Sequence, residues 1–244
     1  MRTLFLSAVL LLITPFPVAA QQDFVKDTIK TSNGNLEITF IGHGTLMFAF
    51  DGKIIHMDPF GRLTDYSKLP KADMIFVTHD HRDHLDPKTL ALLRTEKTII
   101  VLPEKSAEIV KGGTIMRNGD IIELEGLKIE AVPAYNIAHM RSDGSPFHPK
   151  GAGNGYVITF GDMRIYVAGD TENTPEMKDL KDIDIAFLPM NLPYTMTPEM
   201  VADAAKAFKP KILYPYHYGE TDPSKLVGLL KGTNQIQVRI RPMK

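Results

Sequence analysis

Apolar residues fall in short runs separated by turn residues along most of this chain. The runs Leu36 to Ile41, Leu46 to Phe50, Lys53 to Met57, Met74 to Val77, Thr98 to Leu102, Ile121 to Leu124 and Leu127 to Pro133 have the length and the β-branched and aromatic content of strands. Tyr156 to Phe160, Met163 to Ala168, Asp184 to Leu188, Lys211 to Tyr214 and Gln235 to Ile240 continue the series. Asp51-Gly52 and Gly161-Asp162 each stand between two such runs and predict tight hairpins, whose central residues must tolerate positive φ. Helix starts carry a different signal, a capping residue followed by proline, whose missing N–H is an orphan at the first helical position in any case. Asp86-Pro87, Thr174-Pro175, Thr197-Pro198 and Asp222-Pro223 all show it. After the third, Val201, Ala204, Ala205 and Phe208 recur at i, i+3, i+4 and i+7, one buried helix face. Hairpins followed by alternating strand and helix, stated twice, predict an α/β fold of two mixed sheets packed together with helices outside.

The first residues form a different pattern. Met1-Arg2-Thr3, the apolar run Leu4 to Val18 and the pair Ala19-Ala20 have the charged start, apolar middle and small-residue end of a signal peptide, with cleavage expected near Ala20. The mature protein is then exported, to the periplasm or the medium. Pro15 and Pro17 interrupt the run, which falls short of the roughly 20 apolar residues of a membrane span. No stable span is expected after processing. Residues 21–244 contain no Pro/Ser linker, charge run or repeat, and are read as a single domain. A net charge of −1, with both signs interspersed, argues against a nucleic-acid surface. The cysteine count is zero, so a disulfide framework and a thiolate metal site are both excluded. Any transition metal here must be held by histidine and carboxylate.

Directly after the predicted strand Met74 to Val77 come His79, His81, Asp83 and His84. Four ionisable side chains this close together are costly if buried without partners, and imidazole with carboxylate suits zinc and similar divalent ions. Past a strand end His79 and His81 can point at one ion, with Asp83 and His84 beyond the turn reaching a second. No G-x-S-x-G elbow supports a serine nucleophile, and no Walker-type loop supports a nucleotide triphosphatase.

From His79 to His84 the chain matches H-x-H-x-D-H position by position, and it resembles the metallo-β-lactamase superfamily. Within that superfamily it is most similar to the ascorbate-phosphate lactonase-like and N-acyl-phospholipid phosphodiesterase-like hydrolases. The likeness is also carried by Ile41-Gly42-His43-Gly44, Met57-Asp58-Pro59-Phe60, Tyr166-Val167-Ala168-Gly169-Asp170-Thr171, Tyr194-Thr195-Met196 and Pro215-Tyr216-His217-Tyr218. The resemblance implies a four-layer αββα sandwich with these segments at one edge. It implies two divalent metal ions, zinc by default and manganese or iron as alternatives. Asp170 matches the carboxylate between the ions, His217 the last ligand of the second ion, and Asp58 an acidic residue supporting a ligand imidazole. The catalytic carboxylates expected are Asp83 and Asp170.

Where the superfamily usually has a further histidine, this chain has Asn136, with His139 and His148 following. His148, held between Phe147 and Pro149 just before a strand, is the expected ligand, with His139 as the alternative and Asn136 as a group orienting a ligand or touching the reacting water. His43 and Tyr194 are expected beside the site, touching substrate, and His56 in the core. The resemblance implies hydrolysis of an ester-type bond (a lactone, carboxylic ester or phosphodiester) in a small or lipid-like molecule, by water activated between the ions. β-Lactam hydrolysis and a non-catalytic metal-binding role are the alternatives. Diiron oxidising relatives carry a carboxylate at the position of His81, so this histidine favours hydrolysis.

Overall fold

The computed structural model describes residues 23–244; the expected leader lies outside them. The first half is β1 (Val25–Thr31), β2 (Gly34–Gly42), β3 (Thr45–Phe50), β4 (Lys53–Met57), β5 (Met74–Phe76), α1 (Pro87–Leu93), β6 (Ile99–Leu102) and β7 (Thr114–Ile115). The second is β8 (Ile121–Leu124), β9 (Leu127–Ala134), β10 (Gly153–Phe160), β11 (Met163–Val167), α2 (Pro175–Lys178), β12 (Ile185–Pro189), α3 (Pro198–Phe208), β13 (Ile212–Tyr216), α4 (Ser224–Leu229) and β14 (Gln237–Val238). Each half builds one seven-stranded sheet whose strands lie in chain order. In each, the first four strands pair antiparallel, joined by tight turns except for the long excursion between β9 and β10, and the later ones pair parallel across helical or loop crossovers.

Strand β5 shows how the layers form. Met74 and Phe76 join the cluster between the two sheets, while Ile75 and Val77 join a second cluster with Leu90 and Leu93 of α1. A strand covered on both faces must be apolar at every position, which is why this segment has no polar alternation. Between the sheets, rings of opposite sheets meet: Phe40 and Tyr214 at 5.1 Å, Phe48 and Phe160 at 5.6 Å. On the outer face of the second sheet α3 buries Val201, Ala204, Ala205 and Phe208, the last against Tyr166. Helices outside two stacked mixed sheets make the αββα sandwich.

The capping signals act at three helices as expected: Asp86, Thr174 and Thr197 accept N–H groups of the first turns of α1, α2 and α3. The fourth differs. Helix α4 starts one residue later, with Pro223 rather than Asp222 at the cap, because Pro223 already has helical dihedrals. Asp222 still accepts the N–H of Ser224 at 2.9 Å. Two strands, β1 and β7, were not expected. β1 (VKDTIKT) is charged and half exposed and is held by its pairing with β2, so its tertiary neighbour decides its state rather than its own composition.

Because β4 and β5 run parallel, and β11, β12 and β13 likewise, their carboxyl ends emerge at the same edge of the sandwich. Asp58, Thr78, Asp170, Asn191 and His217 follow these strands. The antiparallel pair β9 and β10 adds its Ala134 and Gly153 ends to that edge.

Candidate metal centre

Three residues of this edge, His43, Asp58 and His217, have φ of 52°, 46° and 44°. Such left-handed backbone in residues with a Cβ persists only where the surroundings over-determine it, and it is typical of functional sites. Part of that determination is the hydrogen bond from His217 N to His43 O at 3.0 Å, which joins the two sheets. Gly44, next to His43, is needed for space rather than for its dihedrals. A Cβ there would lie 2.7 Å from Cε1 of His84.

Asp58 is fully buried and accepts from Thr78 N at 2.7 Å, Thr78 Oγ1 at 2.6 Å and His84 Nδ1 at 2.8 Å. The Thr78 hydroxyl has one proton and gives it to Asp58, so at the 3.0 Å contact with His79 Nδ1 it must accept. Both imidazoles therefore carry hydrogen on Nδ1 and turn Nε2 toward the cluster. The same logic applies across the loop 136–148. Asn136 Oδ1 accepts from His148 Nδ1 at 2.7 Å, and its amide is oriented by Nδ2 donating to Glu172 Oε1 and to the Tyr194 carbonyl.

The nitrogens so presented converge. His79, His81 and His148 form one group whose ligand atoms lie within 4.8 Å of one another, and His43, Asp83, His84 and His217 form another. Asp170 joins them. Its Oδ2 is 3.3 Å from His148 Nε2 and 3.5 Å from His217 Nε2, and its Oδ1 is 3.4 Å from His84 Nε2. Nε2 of His79, His84, His148 and His217, and Oδ1 of Asp170, are all buried without a hydrogen-bond partner. Five unsatisfied buried polar atoms in one place would be costly as a purely structural arrangement, and convergent lone pairs of N and O are what a divalent cation requires. The residues fit a metal.

The local charges point the same way. Burial lowers the pKa of His79, His81 and His217, the last to about 4, with neighbouring imidazoles acting in the same direction. These rings are neutral at physiological pH, the form that coordinates metal. Burial opposes a charge on His84 as well, but Asp170, Asp58 and Asp83 outweigh it and push that ring up to about 10. A bound cation would take the place of this proton. Asp170 and Asp83 are also buried against ionisation, yet the surrounding histidines hold both carboxyls well below their ordinary range.

Of the residues singled out from sequence, His79, His81, Asp83, His84, His148, Asp170 and His217 meet in these groups. His43 meets them too, with Nε2 3.0 Å from Asp83 Oδ2, closer to the cluster than its expected place beside the site. Asn136 orients His148 and does not face the cluster itself. His139 belongs to none of the groups; its Nδ1 lies 2.7 Å from Glu172 Oε1. Tyr194 is exposed and packs its ring against Phe147 at 5.1 Å, over a cavity of about 310 Å³ that both line with Arg141, Asp83 and His217. His56 is buried on β4 away from the cluster, its Nε2 3.2 Å from the Pro70 carbonyl. Sequence reasoning missed Thr78 and Glu172. The Ala168-Gly169-Asp170-Thr171-Glu172 run held the only cue for Glu172, and nothing in it distinguishes a buried acid from an exposed one.

Residues 37–217 match the family described as beta-lactamase superfamily domain. The chain belongs to the metallo-β-lactamase superfamily. Among relatives in this superfamily, a UPF0173 metal-dependent hydrolase of Methanopyrus kandleri is 32% identical over 77% of this chain and 86% of its own length. A crystal structure from Parabacteroides distasonis, named for metal-dependent hydrolysis, is 49% identical with a TM-score of 0.87, covering 91% of this chain and all of the other. Igni18, a metallo hydrolase from Ignicoccus hospitalis, is 25% identical with a TM-score of 0.70 over 86% of this chain and 96% of its own.

Proposed function

We propose that this protein is a metal-dependent hydrolase that holds two divalent cations and cleaves an ester-type bond in a small or lipid-like molecule. The carrying observation is the set of five buried, unpartnered polar atoms formed by Asp170 Oδ1 and four imidazole nitrogens around it. His79, His81 and His148 would hold one cation, Asp83, His84 and His217 the other, with Asp170 between them. With nitrogen and oxygen donors only, zinc is the first choice, and manganese or iron fit the same set. When bound, such a pair lowers the pKa of water toward about 7 and polarises the bond to be cut.

The chain's own residues do the rest. Asp58, Thr78 and Asn136 fix the imidazoles so that no ring needs to reorient. Asp83, which lines the cavity, meets His43 Nε2 at 3.0 Å through Oδ2, and that ring would hold the carboxylate in place as a ligand of the second cation. Phe147 and Tyr194 wall the cavity with rings, and Arg141, 5.0 Å over the Phe147 ring, supplies the one arginine among its lining residues. Relatives named as metal-dependent hydrolases support the reaction class. Elemental analysis of protein purified without chelator should give two divalent ions per chain. A panel of chromogenic carboxylic esters, lactones, phosphodiesters and nitrocefin should show metal-dependent turnover of at least one of the first three classes. A stoichiometry near zero after metal supplementation would sink the reading, and turnover of nitrocefin alone would replace the ester with a β-lactam.

A further inference from the structure

The side chain of Glu172 is completely buried, and a carboxylate in that position must be compensated by donors. Every one of its hydrogen-bond donors comes from a single stretch of chain. Oε2 accepts the N–H groups of Ile137 at 2.7 Å and Ala138 at 2.6 Å; Oε1 accepts the N–H of His139 at 2.7 Å and Nδ2 of Asn136 at 3.1 Å. Glu172 itself belongs to neither candidate ligand group.

The residues it grips form the entrance to the excursion between β9 and β10. Asn136 and His148 close the neck of that excursion: Asn136 N donates to His148 O at 2.9 Å, and His148 N donates to Asn136 Oδ1 at 2.8 Å. The same Oδ1 takes the Nδ1 hydrogen of His148. Asn136 can serve His148 in this way only while its Nδ2 faces Glu172 and the Tyr194 carbonyl. With the amide turned over, NH₂ would face two N–H donors. We propose that Glu172 is a positioning residue: through Asn136 it fixes the ring of His148 with Nε2 toward Asp170, and so sets the affinity of the first cation site. The proposal rests on the reading of His148 as a ligand, and it explains how a histidine on a long loop can stand in for one fixed at a strand end. It also makes the cavity wall formed by Arg141 and Phe147 part of the same clasp as the ligand.

Glu172→Gln keeps the size of the side chain but puts an NH₂ among donors. Competition of the full chain with a zinc chelator should show one of the two ions bound about tenfold more weakly in the variant and the other unchanged, in the range of roughly 10–100-fold for groups that orient a ligand. In a His148→Ala background the same substitution should have no further effect on zinc affinity, because the residue it acts through is gone. A second readout needs no metal. Long-range proton–nitrogen NMR of the metal-free protein should find His148 as the Nδ1–H tautomer in the wild type and as a mixture in Glu172→Gln. An unchanged tautomer together with unchanged affinity, equal weakening of both ions, or equal weakening with and without His148 would each overturn the proposal. If the wild type binds neither zinc, manganese nor iron but its His148 tautomer depends on Glu172, the relay to the ring stands, while the claim on cation affinity falls together with the two-cation reading.

Discussion

The residue whose place depends most on the fold is His148, the expected ligand, which the structure brings beside Asp170. As a ligand it is reached through twelve residues of loop after Asn136, whereas His79 and His81 leave a strand end directly. Its buried Nε2, 3.3 Å from Asp170, has no other partner, while His139 lies 27% exposed at Glu172. His148→Ala should therefore weaken one zinc ion by more than about 100-fold, Asn136→Ala by about tenfold, and His139→Ala by less than about threefold, since losing a ligand costs more than losing the group that orients it. Metal titration of the three variants checks the order. A drop for His139→Ala with none for His148→Ala would exchange their roles. The motif from His79 to His84 was legible because its chemistry is local. Asn136 was legible as a group that could orient a ligand, but not the direction of its amide, which depends on Glu172, 36 positions away.

Among the elements, the hairpins and the three capped helices follow from neighbouring residues and were readable as such. Strand β1 and the start of α4 were not, because pairing with β2 and the dihedrals of Pro223 decide them. The turn from β2 to β3 carries an element-scale consequence. Its Gly44 lets the backbone pass against His84 and His217, where an added Cβ would sit 2.7 Å from one ring and 3.5 Å from the other. Gly44→Ala should displace His84 from Asp58, weaken the cation at Asp83, His84 and His217 by about tenfold or more, and cost about 1–3 kcal/mol of overpacking. Zinc titration and thermal unfolding measure the two effects. Retention of both ions at wild-type affinity would show that the turn yields instead.

At the scale of the whole molecule, the sandwich buries His56 on the helix-facing side of β4, and burial lowers its pKa to about 4 from an ordinary 6.5, with the Pro70 carbonyl acting weakly the other way. The unfolded chain takes up a proton below 6.5 that the folded chain refuses until about 4. The stabilisation is thus complete above pH 6.5 and is lost as the pH falls toward 4, by on the order of 3 kcal/mol at 1.36 kcal/mol per pH unit. In urea unfolding of metal-free protein, wild type should lose about 2–3 kcal/mol more than His56→Asn between pH 7 and 4.5. Equal losses would mean that His56 titrates normally in the folded state.

The sequence by itself determined most of the strands and helices, the exclusion of thiolate chemistry, and a core of candidate ligands contiguous in the chain, because periodicity, caps and turn residues act over a few positions. The tertiary structure brought the favoured loop histidine to Asp170 and alone decided that His43 joins the second group, that Thr78 holds the ring of His79, and that Glu172 holds the amide of Asn136. Those choices rest on hydrogen bonds such as Asp58 to His84 and Asn136 to Glu172, spanning 26 and 36 positions, whose directions exist only after the strand ends of both sheets are brought to one edge.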